Sequence, residues 1–301
     1  MVQSDPNIML LAGTMPVNRI AYGALHLLDA GPDAFGEPTP GVDSREVLRR
    51  VVDLGVNFID TACIYGPGTN ELQISDALAP YPDGLVISTK GGLEQIGPGQ
   101  LRPNNRPDFL RAAIEGSLQR LKLDCIDLWT LHRIDPSIPV EETVGVLSNI
   151  QREGKIRLIG LSEATLDELL RATATAHIAV VQNRYNVADR RHDDVLAHCA
   201  AHGIGFVAWY PLAKGGVDLL SHCVGQIAQQ RGVSVQRIAL AWLLARSPVL
   251  IPIPGSSRLA EIEDNVSADR IHLTAGEMRT IEAQYNNMPS VEDPPSVIRS
   301  E

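Results

Sequence analysis

Short apolar runs rich in Val, Ile and Leu alternate with longer amphipathic stretches along this chain, and that rhythm restricts its fold more than any other feature. The runs lie at residues 19–22, 58–60, 86–89, 126–131, 158–161, 179–182, 205–208 and 249–252. Helical periodicity falls at 44–54, 70–79, 107–121, 139–153, 165–176, 189–202, 235–246 and 258–267. A continuous apolar run reads as a strand buried on both faces, which demands a parallel sheet covered by helices. Eight strand–helix units are the number that closes a (β/α)8 TIM barrel, and the right-handed crossover rule then fixes most of the topology.

The flanks of the repeat carry their own signals. Residues 8–11, a turn at Gly13 and residues 17–19 predict an N-terminal hairpin at the barrel floor. Residues 274–286 predict an extra C-terminal helix, and 289–301 a loose tail. No change of texture interrupts the alternation, so residues 1–301 read as a single domain. Pro107 suits a first helical turn, Gly55 a helix stop, and Asn70 with Gln73 a capping pair. The connections 27–42 and 93–106, rich in Gly and Pro, are expected to wall a pocket at the barrel mouth.

Bulk properties exclude several functions. The net charge is −10 with no long basic run, which argues against nucleic acid or anionic membrane as partner. The apolar stretch 8–12 is far too short for a membrane span or signal. Four scattered cysteines without a CxxC pair read as reduced thiols of a cytoplasmic protein. Cys63, between two polar residues of interest, is either a core thiol or a neighbour of the pocket.

Three of the runs end in ionisable residues: Asp60 and Tyr65 in FIDTACIYG, Lys90 in VISTKGG, and His132 in LWTLHRID. Strand C-termini gather at the mouth of such a barrel, where polar residues do chemistry. No GxGxxG, HExxH or P-loop lysine motif is present, so neither a Rossmann nucleotide site nor a metal site is expected. What remains is proton transfer. A phenol has an ordinary pKa near ~10, and an adjacent ammonium favours its phenolate. The assignment is therefore Tyr65 as acid and base, Lys90 as its electrostatic partner, Asp60 as anchor and His132 as substrate orienter. His177, His192, His198, His202, His222 and His272 read as surface or cap residues, and Trp242 as core.

DTACIYG, STKGG, LHRID, GLSEAT, VVQNRYN, AWYPLAKGG and IPIPGSSR…EDN together resemble the motif series of the aldo-keto reductases, in order, from about Asn18 to Asn286. The resemblance implies NAD(P)H-dependent reduction of a small carbonyl substrate, reversibly, by an Asp–Tyr–Lys–His tetrad. It also implies cofactor contacts. Gly23, Ala24 and Leu25 border the nicotinamide, Ser162 and Gln182 bond its carboxamide, and Glu163, standing where many members have Asn, accepts from the carboxamide NH2. Trp209 stacks on the ring, Leu212 and Lys214 cross the pyrophosphate, Ser256, Ser257 and Arg258 hold the adenosine phosphate, and Asn265 meets the adenine. Ser257 and Glu261 stand where Lys or Arg is common, so the implied cofactor is NADPH with a weakened preference that admits NADH.

Segments 21–38 and 77–90 are similar to the pyridoxal reductase-like branch, which makes pyridoxal and pyridoxine the candidate substrate pair. Arg102, Trp129, Arg133 and Tyr210 are the candidate pocket residues. A general aldehyde reductase and a non-catalytic nucleotide-binding redox sensor or subunit are the alternatives. The expected assembly is a monomer or weak homo-oligomer.

Overall fold

The computed structural model describes residues 6–28, 38–97, 99–213 and 223–285. Strands β1 (Ile8–Leu11) and β2 (Met15–Asn18) form an antiparallel hairpin, followed by β3 (Tyr22–Gly23), helix α1 (Ser44–Asp53), β4 (Phe58–Asp60), α2 (Thr69–Leu78) and β5 (Val86–Gly91). A second hairpin, β6 (Leu93–Gly97) and β7 (Gln100–Pro103), precedes α3 (Pro107–Leu121), β8 (Ile126–Leu131), α4 (Val140–Arg152), β9 (Ile156–Ser162) and α5 (Leu166–Thr173). Then come β10 (Ile178–Arg184), α6 (Asp193–His202), β11 (Gly205–Trp209), α7 (Cys223–Arg231), α8 (Val235–Arg246), β12 (Leu250–Pro252), α9 (Leu259–Val266) and α10 (Ala275–Tyr285).

The eight parallel strands run in the order β12-β11-β10-β9-β8-β5-β4-β3. Backbone amides of Ala21 and Gly23 donate to the carbonyls of Pro252 and Pro254, at 3.1 and 3.3 Å, and so join the two edges. The prolines sit at alternate positions, with the Ile253 amide between them donating to Ala208 on β11. Their missing N–H groups therefore face β3, and the seam is held by donors from the β3 side alone. The backbones meet closely there. A Cβ on Gly23 would lie 2.8 Å from the Ile253 carbonyl oxygen, and one on Gly255 would lie 2.5 Å from that of Gly23.

Packing follows the two faces of each strand. Phe58, Val86, Leu128, Leu158, Val180, Val207 and Ile251 point into the barrel and meet Leu11 and Val17 of the first hairpin. The floor is thus plugged, and full burial of each such side chain contributes about 1.5–3 kcal/mol. Arg19 locks this end, its guanidinium donating to the Leu244, Ser247 and Leu250 carbonyls. The opposite strand faces pack against the helices, with Trp242 fully buried among them.

Several local expectations change. Gly68, in the left-handed region, caps α2; Asn70 lies inside its first turn and instead accepts from Thr61 Oγ1 and donates to the Ala24 carbonyl. The supposed loop 93–106 folds largely as the β6–β7 hairpin. Helix α7 was not expected; its short stretch interrupted by Gly225 shows little helical periodicity. Pro107 opens α3, and Gly55 follows α1 at positive φ, as read from the sequence. Residues 29–37 of the first long connection, His222 and the tail 289–301 lie outside the described residues.

Candidate active site

Three strand ends and the turn after β4 bring the sequence-derived tetrad together at the barrel mouth. Lys90 Nζ, on β5, lies 2.5 Å from Asp60 Oδ2 and donates to the Thr61 carbonyl at 2.7 Å. Its ammonium is 5.3 Å from the Tyr65 ring centroid. The Tyr65 and His132 rings meet edge to face, 6.0 Å between centroids. Asp60 Oδ1 accepts from Ser88 Oγ at 3.2 Å and from Gln182 Nε2 at 2.8 Å. The last bond spans the barrel from β10 to β4, so the carboxylate is clamped from neighbouring and opposite strands.

The electrostatics follow from this packing. Burial opposes the charge on Lys90, but Asp60 and Tyr65 outweigh it and hold the ammonium above the ordinary lysine range. Burial pushes the Tyr65 phenol up, while Lys90 pulls it down and is outweighed. The sequence expectation of a lowered phenol thus has the right sign for the lysine and omits the larger effect of desolvation. Burial, Arg133 and Lys90 all depress His132 well below its usual value, so its imidazole is neutral at pH 7. Its Nδ1 is buried without a hydrogen-bond partner among the described residues.

The residues expected to meet a cofactor fall in two groups. Beside the tetrad, Ser162 Oγ accepts from Arg133 Nη1 at 3.2 Å, and Gln182 joins Asp60. Trp209 is half-buried at the end of β11, with the Arg184 guanidinium 5.9 Å from its ring and 4.7 Å from that of Tyr210. Gly23 and Leu25 are half-buried at the end of β3, whereas the Ala24 side chain packs into the helical layer with Val47 and Ile74. Leu212 leans on the core, and Lys214 lies outside the described residues.

The second group sits at the corner of β12 and α9. Ser256 Oγ donates to Glu261 Oε2 at 2.6 Å and accepts from the Arg258 amide at 3.0 Å. The exposed Arg258 guanidinium pairs with Glu261, and Ser257 is half-buried. Asn265 is buried beside Tyr22 and Ile262, facing a small cavity.

Other expectations shift. Glu163, at a positive φ of 56°, directs its carboxylate at Trp209 Nε1 and the Arg184 amide. Trp129 is buried between sheet and helices, and Arg102 pairs with Glu94 on the hairpin. Cys63 is a neighbour of the site, but burial pushes its thiol up to about 12, so it stays protonated. Sequence reasoning missed Ser88 and Arg184. Both lie two residues from a singled-out position on the same strand, Lys90 and Gln182, and period two would have found them. It also placed His192 on a surface or cap; the residue caps α6, yet its ring turns inward, 3.9 Å from Glu163.

Among the described residues no group of His, Cys, Asp and Glu is arranged to hold a metal, and no helix is long and apolar enough to cross a membrane. Fold and site together define a (β/α)8 barrel with a buried cluster of Asp60, Tyr65, Lys90 and His132 at its mouth. The aldo/keto reductase family model matches residues 19–286. An oxidoreductase of Schizosaccharomyces pombe is 40% identical over 263 residues, 87% of this chain and 85% of that one. Pyridoxine 4-dehydrogenase of Escherichia coli is 37% identical over 276 residues, 90% of this chain and 96% of that one. The crystal structure of an aldo-keto reductase from Klebsiella pneumoniae in complex with NADPH superposes with a TM-score of 0.80, at 26% identity and over 100% of both chains. The chain belongs to the aldo/keto reductase family, and is an oxidoreductase.

Proposed function

We propose that the chain, a single domain over residues 1–301, catalyses the reversible NADPH-dependent reduction of a small aldehyde or ketone, with pyridoxal and pyridoxine as its substrate pair. The observation that carries this reading is the buried Asp60–Lys90 pair beneath the Tyr65 phenol. Fit to a nicotinamide cofactor rests on Trp209, half-buried at the mouth, next to Ser162 and Gln182 at the ends of β9 and β10. Ser162 and Gln182 would hold the carboxamide, Trp209 would cover the ring, and Ser256, Ser257, Arg258 and Asn265 would take the adenosine end. When bound, that cofactor supplies the hydride, from the nicotinamide C4 to the carbonyl carbon.

The chain's own residues handle the proton. Tyr65 donates it to the substrate oxygen through a phenol that burial keeps protonated. Lys90, held charged by Asp60, stabilises the phenolate left behind. Neutral His132, against the Tyr65 ring, donates a hydrogen bond to the same oxygen and orients it. The pyridoxal assignment is supported by the 37% identity to pyridoxine 4-dehydrogenase.

The test is NADPH oxidation with pyridoxal and with a generic aromatic aldehyde, repeated with NADH. Turnover of pyridoxal at micromolar KM supports the full reading. Turnover of the generic aldehyde alone removes the pyridoxal assignment, and tight NADPH binding without turnover of either replaces the enzyme with a redox sensor.

A further inference from the structure

Glu163 occupies a position whose geometry the reaction chemistry above does not use. It follows Ser162 at the end of β9 in left-handed backbone, a conformation that costs an ordinary residue about 1–2 kcal/mol. Its Oε1 accepts two hydrogen bonds, from the Trp209 indole N–H at 2.6 Å and the Arg184 amide at 2.7 Å. His192 Nε2 faces Oε2 at 3.9 Å. Burial opposes the carboxylate's charge, yet the His192 contact, the Arg133 guanidinium and the indole donor hold its pKa at about 2. The carboxylate is therefore charged at neutral pH, and its Oε1 is engaged by the indole and the adjoining strand.

Trp209 needs such an anchor. Trp129 and Trp242 are fully buried, whereas Trp209 is half-buried and packs only partly against the barrel interior. An indole at a barrel mouth has two side-chain torsions to sample, and a single donor can select one orientation. Arg184 is fixed by the same oxygen through its backbone, and its guanidinium sits by the Trp209 and Tyr210 rings.

We infer that Glu163 is a positioning residue: its Oε1 fixes the plane of the Trp209 indole at the mouth and so preorganises the surface on which a nicotinamide ring stacks. This inference rests on the cofactor reading above and gives Glu163 a role beside the carboxamide contact expected from the sequence. It acts on binding and leaves the proton-transfer group unchanged.

The test compares Glu163→Gln, which keeps the Oε1 acceptor and removes the charge, with Glu163→Met, which keeps the volume and removes both acceptors. Both retain the backbone demand already met at this position. NADPH affinity is measured by titration calorimetry, acrylamide access to Trp209 by fluorescence without cofactor, and KM against kcat with the best aldehyde substrate. Loss of one charge-assisted hydrogen bond corresponds to roughly tenfold or more in affinity. The expected result is about a tenfold weaker NADPH affinity, greater acrylamide access and a raised cofactor KM for Glu163→Met, with kcat within about twofold. Glu163→Gln should stay within about threefold of the parent in all four.

Equal loss in both variants would overturn the inference in favour of a charge effect, and no loss in either would overturn it outright. If the parent chain binds no NADPH, the cofactor reading fails instead, and the acrylamide comparison still decides whether Glu163 orients the indole. Glu163→Ala provides the same comparison should the methionine variant not fold.

Discussion

The Lys90 ammonium lies 2.5 Å from Asp60 Oδ2, and both side chains are almost completely buried. A buried pair of this kind contributes little net stability compared with apolar residues, but removing one partner strands the other charge at a cost of about 3–5 kcal/mol. Lys90→Met should therefore lower both activity and stability. Asp60→Asn combined with Lys90→Met should recover part of the lost stability and none of the activity. Thermal unfolding alongside NADPH oxidation separates the two effects. A double variant less stable than Lys90→Met alone would mean that the pair is not the source of the penalty.

Tyr65→Phe removes one oxygen and retains the edge-to-face contact with His132. General acid catalysis by a positioned group contributes about 10²–10⁴-fold, so reduction should fall by at least that factor while NADPH affinity is retained. Because burial raises the phenol, reduction should be insensitive to Tyr65 ionisation from neutral pH to above the ordinary phenol value. Alcohol oxidation needs the phenolate and should rise across the alkaline range. Lys90→Met removes the influence that lowers the phenol, so any residual oxidation should need still higher pH. A pH–rate profile in each direction checks this, and near-parental reduction by Tyr65→Phe would assign the proton to another group.

His132 gives a separate stability signal. Its folded pKa lies well below 6.5, so below that value the unfolded chain binds a proton that the folded chain refuses. The sign follows: its contribution is fully present above about pH 6.5 and declines as pH falls, by up to ~1.4 kcal/mol per unit. Denaturant melts of the parent chain and of His132→Asn across the mildly acidic range should show a shallower pH slope for the variant. Equal slopes would indicate that His132 titrates normally.

The barrel was legible because its strands are buried on both faces and its helices on one, so periodicity alone separates them. The floor hairpin and the tetrad were legible for a related reason, since each lies where a simple apolar run stops. What stayed hidden depends on pairings distant in sequence. Gln182 reaches Asp60 across the barrel, and Glu163 bonds Trp209 46 residues on. No local pattern reports a pairing of this range. Asn70 shows the same effect at short range: a plausible cap by composition is drawn inward by Thr61 and the Ala24 carbonyl.

Cofactor choice is expected to turn on a similar pairing. Arg258 is the cation at the β12–α9 corner expected to read a 2′-phosphate, and Glu261 already pairs with it while accepting from Ser256. A carboxylate beside a ribose accepts from a 2′-hydroxyl and repels a 2′-phosphate, whereas an arginine favours the phosphate. Arg258→Ala should accordingly raise KM for NADPH far more than for NADH. Glu261→Gln should do the reverse and improve NADPH relative to NADH by several-fold, because it releases Arg258 and removes the repulsion. Both residues are substantially exposed, so the effects should shrink as ionic strength rises. Steady-state kinetics with both cofactors at low and high salt measures this directly. Equal changes for NADPH and NADH in both variants would show that this corner does not discriminate between them.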